Sequence, residues 1–188
     1  VFSAGLTFGE IMLSGSTDGC FGTGCTPVAN ASIHDGAGDN FIFYINNTFS
    51  GTTSGGSLDL NGSNGLGTFE YISNTLSSPF TLLVTLTGPF SETHTFTGTL
   101  TADGSTANIT FGGESFTFSD GNGTSFLLTP HDVSEGSVVG SGSVTPITAT
   151  ISNAQSPASA TPEPSSYLLV GAGVALMIWR RSSSARAA

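Results

Sequence analysis

No lysine occurs anywhere in the chain, and no arginine precedes Arg180; the three arginines, Arg180, Arg181 and Arg186, all sit at the extreme C-terminus. Thirteen carboxylates therefore share residues 1–179 with no fixed cation, and the formal net charge is −10. Such a segment cannot neutralise phosphates, which excludes nucleic-acid binding by the main body of the protein. Tryptophan occurs once, as Trp179, and cysteine twice, as Cys20 and Cys25. Histidine is limited to the isolated His34, His94 and His131, so a zinc site lacks the further thiolates or spaced imidazoles it needs. Charged residues make up only 9% of the chain, yet disorder does not follow, because 37% is apolar and 14 residues are Phe. With 188 residues there is room for one core and a short appendage.

What is present is glycine, threonine, serine and a period of two. From residue 1 to about 151 apolar positions alternate with Thr and Ser, and no helical stripe interrupts them. The run from Pro79 to Gly88 predicts a strand with Phe80, Leu82, Val84 and Leu86 on one face and Thr81, Thr85 and Thr87 on the other. His94 to Ala102 repeats the pattern, with Phe96 and Leu100 inward and Thr95, Thr97, Thr99 and Thr101 outward, followed by the Ala102-Asp103-Gly104-Ser105 hairpin turn. Further strands are expected at Leu6–Leu13, Phe41–Ile45, Ser57–Leu60, Leu66–Ile72, Ala107–Phe111, around Phe116 and Phe118, from Phe126, and within Val138–Ile151. Roughly ten short strands at this turn spacing predict an all-β domain, an antiparallel β-sandwich or jelly roll, over residues 1–151. Outward threonine suits the pleat and keeps the surface wet without charge.

Edge strands are commonly guarded by lysine, which this body lacks. Glu92, Glu114 and Asp59 are expected to take over that task; the other reading is an open edge that pairs with another copy. Cys20 and Cys25, five residues apart across two glycines, are candidates for a small disulfide ring. The chain begins at Val1, with no basic region followed by an apolar one, so either an export signal has been removed or the N-terminus is incomplete.

At residue 152 the composition turns to Ser, Ala, Asn and Gln without apolar period, which predicts a flexible linker over 152–161. Then come Pro162-Glu163-Pro164, an unbroken run of apolar and small residues from Tyr167 to Trp179, and Arg180-Arg181. Thirteen helical residues rise about 20 Å against a hydrocarbon thickness of about 30 Å, so one short C-terminal transmembrane helix, suited to temporary anchoring, is expected. Trp179 marks the interface, and Arg180 and Arg181 the cytoplasmic side, leaving the acidic domain outside. In this order the three parts, spanning residues 162–188 with the tail, resemble the PEP-CTERM sorting signal of exported bacterial proteins. The resemblance implies an exosortase-type membrane processing enzyme as partner and a Gram-negative host. It also implies passage through the inner membrane to the cell surface or extracellular matrix in an exopolysaccharide setting. The tail Ser182–Ala188 is longer and less basic than the usual Arg-rich end.

Chemistry in the body is harder to find. No Gly-x-Ser-x-Gly elbow occurs, which argues against a serine hydrolase. Glu70, Glu92, Glu114, Asp132 and Glu135 are carboxylates a glycosidase could use, but residues 1–166 offer no Trp and only Tyr44 and Tyr71 as platforms. Calcium is the better ligand candidate, at Asp120 with Asn122, and at Asp35 with Asp39 and Asn40, although neither loop has Glu at its twelfth position. Asn-x-Ser/Thr triplets at Asn30, Asn46, Asn61, Asn108 and Asn122 are assigned no glycan. The expectation is thus a non-enzymatic exported protein without a required cofactor, structural or adhesive. A lectin-like or calcium-dependent binding module with the same address is the alternative, and a secreted hydrolase comes after it.

Overall fold

The computed structural model describes residues 10–34, 41–72, 75–136 and 143–157. The chain divides into two units, Val1–Pro157 and Ala158–Ala188, of which the second lies outside the described residues, together with the expected membrane helix 167–179. Among the described residues no helix is long and apolar enough to cross a membrane, and the one helical element is a single 3₁₀ turn, Gly62–Asn64.

Among the described residues fourteen strands, all paired antiparallel, form three sheets. The largest has six strands in the order β12 (Val133–Gly136), β9 (Thr106–Thr110), β8 (Glu92–Asp103), β7 (Thr75–Gly88), β1 (Met12–Phe21) and β4 (Thr48–Thr52). A four-stranded sheet runs β10 (Phe116–Ser119), β11 (Ser125–Pro130), β14 (Ala149–Gln155) and β5 (Leu58–Leu60). Another runs β13 (Ser143–Pro146), β6 (Thr68–Tyr71), β3 (Phe41–Ile45) and β2 (Asn30–His34). Ring contacts place both four-stranded sheets against the apolar face of the large one. Tyr44 of β3 meets Phe80 of β7 at 5.6 Å between centroids, and His94 of β8 stacks on Phe116 of β10 at 3.6 Å. The arrangement is two layers, the second split into two sheets.

The central hairpin follows its alternation. Phe80, Leu82, Val84, Leu86, Phe96 and Leu100 are fully buried, while Thr95, Thr97, Thr99 and Thr101 are exposed. Each such buried side chain contributes about 1.5–3 kcal/mol. β7 begins four residues before the expected Pro79, and Pro79 is tolerated because it lies beyond the last β1 pair, Phe21 with Phe80, where β8 is the flanking strand.

Several expectations need correction. Residues 6–9 of the expected strand Leu6–Leu13 lie outside the described residues; the first described strand, Met12–Phe21, runs well past Leu13, and β2, β4 and β12 had no counterpart in the pattern. In β1 the inward positions after Leu13 are Gly15, Thr17 and Gly19, which carry no apolar signal. A Cβ on Gly15 would stand 2.5 Å from the Phe49 ring, and one on Gly19 2.5 Å from the Tyr44 ring. The apolar volume of this stretch is supplied by rings from other strands. The linker expected over 152–161 does not begin at residue 152, since Ser152–Gln155 continue β14 and Ala154 is fully buried; residues 158–161 lie outside the described residues. Small residues hid that burial.

Candidate functional site: the sorting tail and the polar groups of the exported domain

Cys20 and Cys25 form a disulfide, with Cα atoms 5.9 Å apart, closing a ring at the end of β1. The Gly22 and Gly24 φ angles of +100° and +68° supply the bend inside it.

The carboxylates, deprived of cations, bond to main-chain amides. Glu114 accepts from Thr97 N at 2.8 Å, on the part of β8 that β9 does not reach. Glu92 accepts from Ser119 N at 3.1 Å on the edge strand β10. Asp132 accepts from Phe111 N at 2.7 Å and Gly112 N at 3.3 Å, just past the end of β9. Asp59 accepts instead from the Thr150 hydroxyl at 3.3 Å. Glu70 lies half-buried in β6, and of Glu135 only its place in β12 is described. Three of the glycosidase candidates thus complete main-chain amides at separate places, on the open edge of β8, on β10 and just past β9.

Asp103 closes the β8–β9 hairpin, its Oδ1 accepting from Ser105 N, Ser105 Oγ and Thr106 N at 2.9, 2.8 and 2.7 Å. The Thr106 amide, then the Ser105 amide and hydroxyl, hold its carboxyl down at about 2. Asp120, a calcium candidate, is used in the same way. Its Oδ1 accepts from Asn122 N at 2.7 Å and Thr124 N at 3.0 Å, and the Asn122 amide, with lesser help from Thr124, lowers its pKa. The Asn122 carboxamide donates back to Asp120 O at 3.2 Å. Asp35, Asp39 and Asn40 lie outside the described residues, and among the described residues no three His, Cys, Asp or Glu side chains group as metal ligands.

Two polar constellations escaped the sequence. His131 Nδ1 lies 3.1 Å from Thr148 Oγ1 and its Nε2 2.9 Å from Thr150 Oγ1, which in turn donates to Asp59. Inside the core, the Tyr44 hydroxyl donates to Thr17 Oγ1 at 2.6 Å, and Leu66 O lies 3.0 Å from both oxygens. Burial pushes the Tyr44 phenol well above its ordinary range, the Thr17 bond opposing and the Asp18 charge adding a little. Residues this distant in sequence leave no common local signal.

The body is an all-β antiparallel domain with a carboxylate-capped periphery, and residues 158–188 follow it. Residues 160–182 match the family model of the PEP-CTERM protein-sorting motif. The match contains Pro162, Glu163 and Pro164, the run Tyr167–Trp179, and Arg180 with Arg181. The chain carries an exosortase-type sorting signal, which marks export and membrane-associated processing in Gram-negative bacteria. No curated protein and no solved structure matches the chain.

Proposed function

We propose that the chain is non-enzymatic cargo of an exosortase-type enzyme. It is tethered to the inner membrane transiently by Tyr167–Trp179 and then released to the cell surface or extracellular matrix, where it acts as a structural or adhesive component among exopolysaccharide. The observation that carries this reading is the ordered tail, a Pro-Glu-Pro motif, an apolar run too short for comfortable permanent residence, and an Arg pair, within the matched residues 160–182. The domain's own chemistry supports a passive role. Glu92, Glu114, Asp120 and Asp132 each accept main-chain N–H bonds, so these oxygens hold strand ends and turns. A disulfide and a threonine-covered surface suit an oxidising exterior.

The test is the intact mass and C-terminal peptide map of the protein from membrane and surface fractions of its native host. Mature surface chains are expected to end near Pro164 and to lack Tyr167–Ala188. Chains that still end at Ala188 and stay in the membrane would make the tail an ordinary anchor.

A further inference from the structure

Among the described residues, strand β4 closes one side of the six-stranded sheet, paired with β1 and with no strand beyond it in that sheet. Its middle residue, Ser50, has both main-chain polar groups taken by one side chain. Asn64 Oδ1 accepts from Ser50 N at 2.7 Å, and Asn64 Nδ2 donates to Ser50 O at 2.6 Å. One acceptor and one donor, side by side, are what the facing residue of a neighbouring antiparallel strand presents at a hydrogen-bonded pair. The carboxamide stands in for a strand.

The segment that carries it is held lightly. The 3₁₀ turn Gly62–Asn64 has no buried residue. It is tied down by a second carboxamide, Asn47, whose Nδ2 donates to Ser63 O and Gly65 O, each at 2.9 Å. Exposed hydrogen bonds, not apolar burial, keep this turn on the edge, so lifting Asn64 off Ser50 uncovers no core side chain of the turn.

The chemistry of the edge selects its occupant. In a chain of net charge −10, two copies can approach only where carboxylates are absent. β4 reads Thr-Phe-Ser-Gly-Thr, without charge or proline. Four other edges are less permissive: β12 contains Glu135, β5 contains Asp59, β10 is capped by Glu92, and β13 ends in Pro146; the edge strand β2 is likewise free of carboxylate and proline, and β4 is set apart from it by the Asn64 carboxamide held on Ser50. We infer that the β4 edge is a strand-pairing site for a second copy of this chain, closed in the single molecule by the Asn64 carboxamide. The pairing is antiparallel about a twofold axis at Ser50, which sets Ser50 opposite its counterpart and Thr48 opposite Thr52 of the second copy. The observation is separate from the sorting tail, so either reading can fail alone.

The experiment uses the full chain in a nonionic detergent. Cys20 and Cys25 are mutually bonded, so an added cysteine is the single free thiol. Facing Cα atoms at a hydrogen-bonded pair lie about 5.5 Å apart, within disulfide reach. Under mild oxidation, Ser50→Cys combined with Asn64→Ala should give several-fold more covalent dimer than Ser50→Cys alone. Thr52→Cys with Asn64→Ala, whose thiol would face Thr48, should give little. Amide exchange at Ser50 should quicken in dilute Asn64→Ala and slow again at high protein concentration. Equal dimer yields with and without Asn64→Ala, or equal yields at positions 50 and 52, would overturn the inference. If Asn64→Ala fails to fold, Asn64→Ser, which adds no charge and is too short to hold both main-chain groups of Ser50, carries the same comparison.

Discussion

Tyr44 shows how much one side chain can organise where residues 1–179 supply no lysine or arginine. Its ring occupies the space that side chains on Gly19 and Gly67 would fill, and Gly67, at φ +118°, is barred from a side chain by its backbone as well. Its hydroxyl joins β3 to Thr17 of β1 and to the Leu66 carbonyl. Tyr44→Phe should destabilise the domain by about 1–3 kcal/mol, because buried acceptors lose a donor while the ring volume stays; chemical denaturation of both forms measures this. The raised phenol pKa has a definite pH consequence. Above the unfolded tyrosine value of about 10 the unfolded chain releases this proton and the folded one keeps it, so stability falls as pH rises. Urea midpoints should drop at alkaline pH in the native chain, and drop less in Tyr44→Phe.

At the scale of the element, turns and strand ends are fixed by acids acting as hydrogen-bond acceptors. The β8–β9 hairpin depends on Asp103, whose pKa is lowered to about 2 by amides it holds in the folded state. A depressed folded value means that this contribution is complete above the unfolded value near 4 and is lost as pH falls toward 2. Amide exchange at Ser105 and Thr106 is expected to quicken relative to the hairpin core over that window, and Asp103→Ala should show the quickened rate already at neutral pH. This hairpin was readable in the residues, since Asp-Gly-Ser between two alternating runs is a local signal. β1 was not, because Gly15, Thr17 and Gly19 form its inward face only by virtue of Phe49 and Tyr44 arriving from elsewhere. β4 and β2 were missed for a related cause: five-residue strands with one or two apolar positions carry too little alternation to stand out.

For the whole molecule, thirteen carboxylates with no cation before Arg180 make self-repulsion the dominant long-range term. Screening lengths shrink from about 30 Å at 0.01 M salt to about 8 Å at 0.15 M. Thermal stability is therefore expected to rise with sodium chloride over that range, the reverse of a protein held by surface ion pairs. Scanning calorimetry at stepped ionic strength checks the sign. The same repulsion favours a charge-free edge such as β4 over the acid-bearing ones as the place for copies to meet.

The tail's class was legible in the sequence alone, because Pro-Glu-Pro, an apolar run and an Arg pair are contiguous and need no folding partner to be recognised. The all-β character and the outward threonines were likewise local properties of a two-residue period. Which strands are neighbours, that Ser152–Gln155 belong to the sheet, and that Glu92, Glu114 and Asn64 finish strand edges were decided only in three dimensions. The three side-chain bonds join groups from 14 to 27 positions apart, strand pairs such as β14 with β5 join groups much farther apart, and Ser152–Gln155 are too small or too polar to register as apolar. A carboxylate or carboxamide in sequence gives no sign of which distant main-chain amide it will complete.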